Sequence, residues 1–138
     1  MRVLFDTNVV LDVLLDRRPH ALAAALLFER ARARRLHGFL GATTITTVHY
    51  LAGRAVGARR AGRHVATLLA LFDVAPVTRG VLADALALGF ADYEDAVLHE
   101  AARHAGADGL VTRRVGFRGA KLKVFAPDEL LRFVDALP

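Results

Sequence analysis

Apolar periodicity along this chain alternates between two kinds of segment. Short continuous apolar runs read as buried strands, and longer runs with helical spacing lie between them. That alternation favours an α/β domain with a parallel sheet, since each crossover between parallel strands needs a helix-length connection. Arg2–Asp6 reads as the first strand. Pro19 suits a first helical position, opening an Ala/Leu-rich helix to Arg35 with Gly38 just past its end. Phe39–Ala42 reads as a second strand, followed by a helix capped by Thr43 or Thr44 and running to about Val56. Ala58–Phe72 is a further helix, basic on one face through Arg59, Arg60 and Arg63. Strand Asp73–Thr78, helix Val81–Leu88 with Gly89 as stop, and helix Asp92–Ala105 with Gly106 as stop come next. Strands Gly109–Thr112 and Lys123–Ala126 precede a closing helix from Pro127 through Val134.

The expected product is a single domain over residues 1–138, a three-layer α/β/α sandwich around a parallel sheet of four or five strands. Ligands in such sheets collect outside the carboxyl ends of the strands. Asp6 and Thr112 both fall at that edge.

Composition narrows the function. No apolar stretch approaches the ~20 residues of a membrane span, and an Asp at position 6 argues against a signal peptide. The absence of Cys excludes disulfides and thiolate metal sites and favours the cytoplasm. A net charge of +5, carried mostly by Arg, fits nucleic acid or an acidic protein as partner, or a GC-rich genome. With only 7% aromatic residues, a single-strand binder built on base stacking is disfavoured.

The acids are few and grouped. Three of the 14 stand together in "FADYEDAV" as Asp92, Glu94 and Asp95, and Asp92 and Asp95 share a helix face. Read alone, Asp92 caps a helix and its neighbours complement the dipole, and Asp6 caps the helix after the first strand. Taken together, both groups reach one sheet edge if the strand Gly109–Thr112 neighbours the first. Carboxylates gathered there repel one another unless a cation is present, and oxygen ligands without Cys suit Mg²⁺ or Mn²⁺.

The stretches "VLFDTNVVLDVLL" and "FADYEDAVLHEAARHAGADGLVTRR", with a closing strand and helix, resemble a PIN domain, most closely the VapC-like toxins of toxin–antitoxin pairs. The resemblance implies a Mg²⁺- or Mn²⁺-dependent ribonuclease restrained by a small antitoxin, and a homodimer. It implies that Asp6 is the first metal-binding acid, braced by Asn8, that Asp95 is the helix carboxylate, and that Thr112 hydrogen-bonds in the site. Two departures stand out. Where the family usually has a Glu, this chain reads "TTITTVHYLAGRA" with His49 and Tyr50, and Arg114 follows Arg113 where an acid is usual. In a related branch Asp92 and Glu94 make up the deficit, with Asp12 a further candidate.

The expectation is hydrolysis of RNA phosphodiesters with Asp6, Asp92 and Asp95 on the metal, and Asn8, Glu94, Thr112 and Asp12 in support. Arg113 and Arg114 would lie against RNA phosphate. His49 is either a substitute ligand or a packed, hydrogen-bonded residue. The alternative is a weakened PIN fold that binds RNA or protein without cutting. An aspartyl-phosphate phosphatase is disfavoured because Asn8 stands where its second Asp belongs, and a receiver domain because "DVAPVT" ends in Thr78.

Overall fold

The computed structural model describes residues 1–117 and 119–138. Five strands run β1 Arg2–Phe5, β2 His37–Gly41, β3 Asp73–Ala75, β4 Gly109–Val111 and β5 Lys123–Phe125. They form one sheet in the order β3-β2-β1-β4-β5. Every pairing is parallel, with Phe5 opposite Leu40 on one side and Val111 on the other. Among the described residues seven helices connect them: α1 Thr7–Leu14, α2 Ala21–Arg32, α3 Ala42–Val56, α4 Ala58–Leu71, α5 Arg79–Leu88, α6 Tyr93–His104 and α7 Pro127–Ala136. The α/β expectation is borne out, and the sheet has the larger of the two strand numbers expected.

The two-residue period of the strands divides the core between two faces. Val3, Phe5, Leu40 and Val111 join Val9 and Val10 of α1, Leu27 of α2, Val48 of α3, Leu68 of α4 and Leu130 of α7. Leu4, Phe39 and Leu110 join Val81 and Ala85 of α5 and Ala96, Leu98 and Ala101 of α6. Phe5, Phe28 and Phe72 meet edge to face with ring centroids 5.0–5.9 Å apart, a geometry that favours aromatic pairs beyond the area they bury.

Several boundaries differ from the sequence expectation. Strand β3 stops at Ala75 instead of Thr78, because Thr78 turns its side chain to the Val81 amide and caps α5, which starts at Arg79 and not Val81. Helix α3 starts at Ala42 behind Gly41, without the expected Thr43 or Thr44 cap. Helix α1 follows β1 directly behind the Asp6 cap, as the capping reading expects, though the sequence assigned it no bounds: Asp6 accepts from the Thr7 amide, and the helix buries Val9, Val10 and Leu11. Pro19 lies in the turn before α2, which starts at Ala21 and ends at Arg32. There the Arg34 amide bonds to Ala31 O and the Arg35 amide to Arg30 O, while Arg34 takes φ 60°, a left-handed helix stop without glycine. Gly38 is therefore not a stop but part of β2, where a Cβ would stand 2.5 Å from the Phe72 ring.

The chain starts at the sheet centre, builds β2 and β3 on one side, then crosses back to build β4 and β5 on the other. The reversal falls between β1 and β4, so the crevice outside their carboxyl ends is where this topology offers a binding site.

Candidate active site at the β1–β4 edge

Each strand at the reversal ends in a polar residue held inside. Asp6, directly after β1, is 4% exposed, and Thr112, directly after β4, is 2% exposed. The Asp6 Oδ1 accepts from the Thr7 amide at 2.7 Å, and its Oδ2 accepts from Thr112 Oγ1 at 2.7 Å and Asn8 Nδ2 at 3.2 Å. Asn8 ties the two strand ends together, since its Oδ1 accepts from the Arg113 amide at 3.2 Å. Thr7 Oγ1 lies 2.9 Å from Thr44 Oγ1 and so fastens the first turn of α3 to the same place.

Helix α6 brings the second set of acids. Asp92 is its N-cap, accepting from the Asp95 amide at 3.2 Å. Asp95 is 1% exposed, and its Oδ2 is a buried oxygen with no hydrogen-bond partner among the described residues. Gly116 leaves room there, because a Cβ would stand 3.3 Å from that oxygen. Asp6, Thr7, Asn8, Leu11, Arg17, Glu94, Asp95, Leu98 and Arg114 line a cleft of about 230 Å³.

Arg114 bridges the α6 acids, with Nη2 3.2 Å from Asp92 Oδ2 and Nη1 3.3 Å from Asp95 Oδ1. Its amide also donates to Thr112 Oγ1 at 3.0 Å, so the residue is placed by backbone and side chain together. The electrostatics follow this arrangement. Burial pushes the Asp95 carboxyl up to about 6; Arg114 opposes the shift, and Asp92, Asp6 and Glu94 reinforce it. Asp6 is also raised by burial, against the pull of Thr112, the Thr7 amide, Arg114 and Asn8. Asp92 is lowered, first by the Asp95 amide and then by Arg114, with burial acting against both.

Asp12 and Arg113 face each other instead of the cleft. Asp12 is fully buried, and Arg113 holds it through Nε to Oδ2 at 2.6 Å and Nη2 to Oδ1 at 3.0 Å. Arg17 adds a third bond to Oδ1 at 2.9 Å and donates to the Asn8 carbonyl at 3.1 Å. Asp12 thus braces the helix that carries Asn8, and the Arg113 guanidinium is committed to it. His49 is exposed on α3 and is not among the residues lining the cleft.

Sequence reasoning missed a second group. Asp84 of α5 and Glu100 and His104 of α6 present ligand atoms within 4.8 Å of one another. The i,i+4 spacing of Glu100 and His104 was the available signal. Arg103 already neutralises this group, lying 3.0 Å from both Asp84 and Glu100. The cleft suits a divalent cation better: it offers hard oxygens, two of its acids are held toward protonation, and one buried oxygen lacks a partner.

A doubly wound sheet with acids gathered at its reversal point defines the class, and comparison with known proteins gives the family. A model described as "PIN domain" matches residues 2–115, and the chain belongs to that family. No curated protein matches it significantly. Solved structures show the same fold. A Rickettsia felis VapBC2 complex bound to a DNA fragment from its promoter matches with TM-score 0.71 at 12% identity, over 91% of this chain and 98% of that one. A Klebsiella pneumoniae toxin–antitoxin complex matches at 0.70 and 22% identity, over 91% and 97%. Mycobacterium tuberculosis VapC20, a sarcin–ricin loop cleaving toxin, matches at 0.68 and 17%, over 88% and 96%. No helix among the described residues is long and apolar enough to cross a membrane.

Proposed function

We propose that this chain is a metal-dependent endoribonuclease, acting in the cytoplasm as the toxin of a toxin–antitoxin pair, with a small antitoxin and a second copy of itself as partners. The observation that carries the catalytic reading is the unpartnered buried Oδ2 of Asp95, a residue that lines one cleft together with the buried Asp6. The toxin reading draws support from PIN family membership and from the toxin–antitoxin neighbours.

Asp6 and Asp95 would hold a Mg²⁺ or Mn²⁺ ion, with Asp92 and Glu94 beside them at the start of α6. Bound there, the ion supplies an acidified water and charge stabilisation on phosphorus. The chain's own residues do the positioning. Thr112 and Asn8 fix the Asp6 carboxylate in one orientation, and the Asp12–Arg17 pair fixes Asn8 in turn. Arg114, whose side chain is 49% exposed, can leave Asp95 for an RNA phosphate without breaking its backbone anchor.

Asp6→Asn and Asp95→Asn are expected to abolish Mn²⁺-dependent cleavage of RNA while leaving the circular dichroism spectrum intact. Cleavage retained in both variants rejects the assignment. One observation favours the alternative, a PIN fold that binds without cutting: Arg114 supplies a positive charge to Asp92 and Asp95 where the family usually places another acid. A chain whose melting temperature ignores millimolar Mn²⁺ would be that binding module.

A further inference from the structure

Every Asp and Glu of this chain lies outside residues 30–72, and that stretch carries eight of the 19 basic residues, all arginine. Elsewhere most of the described arginines meet acids, Arg2 and Arg79 being the exceptions. Arg17 and Arg113 take Asp12, Arg103 takes Asp84 and Glu100, Arg114 takes Asp92 and Asp95, and Arg132 takes Asp128. Within the acid-free stretch, Arg30 reaches out to Asp135 and Arg35 to the Val134 carbonyl. Arg54 at the end of α3 and Arg59, Arg60 and Arg63 at the start of α4 are all exposed. None of the four has an acidic partner among the described residues.

Like charges so close along a helix repel one another, so folding alone gives no reason to concentrate them. Beside them stands an aromatic: Tyr50 is 61% exposed, with the Arg54 guanidinium 5.8 Å from its ring centre. The helix hairpin also grows out of the carboxylate edge. Helix α3 begins where β2 ends, fastened to Thr7 through Thr44, and its 15 residues run about 22 Å. About six or seven nucleotides of strand at the 3.4 Å rise of stacked bases cover that distance.

We propose that the exposed face of the α3–α4 hairpin docks the sugar–phosphate backbone of the RNA strand presented to the cleft. Arg54, Arg59, Arg60 and Arg63 are its phosphate contacts and Tyr50 is a platform for one base. The identity of the strand rests on the ribonuclease reading. An acidic protein segment would also answer the charge and pack on the ring. The RNA strand is the better occupant because the hairpin grows from the carboxylate edge that receives it and pairs phosphate forks with a stacking platform. Arginine forks match phosphate oxygens in pairs.

The test measures binding of a fluorescein-labelled 15-mer of oligouridylate by anisotropy between 50 and 300 mM KCl, in the Asp6→Asn background so that the strand stays whole. The triple variant R59Q/R60Q/R63Q is expected to bind at least tenfold more weakly at 50 mM. It should lose about 2 from the slope of log K against log salt, at about 0.7 per phosphate contact on a single strand. R60Q alone should lose about a third of that, which keeps the prediction testable if the triple variant fails to fold. Tyr50→Ala should weaken binding severalfold with the slope unchanged. The control R18Q/R79Q/R132Q, with the same net charge, should stay within twofold of its parent. The proposal is overturned if triple and control weaken alike, if neither changes, or if R59Q/R60Q/R63Q keeps its RNA binding while losing affinity for poly-L-glutamate. Failure of the unmutated chain to cleave RNA would reject the ribonuclease reading and leave the slope difference standing; normal cleavage without a slope difference would reject only the docking face.

Discussion

Asp95 pays for its position in stability. A buried carboxyl raised to about 6 binds its proton more tightly in the folded chain than in the unfolded one. Its contribution to stability is therefore present at low pH and lost as pH rises from about 4 through about 6. Asp95→Asn removes that ionisation cost and should raise stability at pH 7.5 by about 3 kcal/mol at most, the opposing pull of Arg114 being already contained in the raised value. Urea titrations of the two proteins at pH 7.5 and pH 4.5 check this: the gap should narrow to about a third at the lower pH, and a gap of equal size at both would contradict the assignment. Asp12 is the opposite case. Arg17 and Arg113 surround it, so Asp12→Ala leaves two cations facing a dry gap and should cost about 3–5 kcal/mol. In the sequence both acids were offered to one site, Asp95 from the acidic run "DYED" and Asp12 from between Leu11 and Val13. What separates them is Arg113, 101 residues away from Asp12 and visible only once β4 lies next to β1.

Among the elements, α6 explains why the site is dry. Residues 95–102 are buried in succession, which leaves no ordinary solvent face for Asp95, His99 or Glu100. His99 uses that burial. Its Nδ1 lies 2.9 Å from Glu100 Oε2, and its Nε2 accepts from the Lys121 amide at 3.0 Å and the Leu122 amide at 3.2 Å. It thereby pins the far end of the segment that begins with Arg113 and Arg114. His99→Leu keeps the volume but orphans both amides, each worth about 1–3 kcal/mol when left unsatisfied. Hydrogen exchange at Lys121 and Leu122 should accelerate while exchange in β1 falls only with global stability; equal acceleration everywhere would show that the latch is not local. Most elements were legible because capping and stop residues coincide with the change of period, as at Gly89 and Asp92, whereas Thr78 read as a strand end and is in fact the cap of α5. Helix α1 was legible only as the helix that Asp6 would cap; its extent was not, since "DTN" is also turn chemistry until tertiary burial of Val9, Val10 and Leu11 decides for helix. Nor was Gly38, whose small size serves the Phe72 ring in a strand instead of ending a helix.

For the whole molecule, the question is which of its two acidic groups takes a metal. The Asp84–Glu100–His104 group has the tighter ligand atoms, but Arg103 and surface exposure of Asp84 and His104 leave it already balanced. The cleft at the sheet reversal combines two buried acids of raised proton affinity with the half-exposed Arg114 guanidinium against them, Arg17 being committed to Asp12. A divalent ion that binds only the folded chain stabilises it by about 2.7 kcal/mol at a hundredfold excess over Kd, which is several degrees in a domain of this size. Mn²⁺ should therefore raise the melting temperature at pH 7.5. Asp6→Asn should remove the effect and Asp84→Asn should preserve it. The sign of the pH dependence is fixed by Asp95: protons compete with the ion, so the Mn²⁺ shift should shrink as pH falls through about 6. A shift that survives Asp6→Asn and disappears with Asp84→Asn would move the metal to the α5–α6 face and leave the sheet edge as a site held together by Arg114.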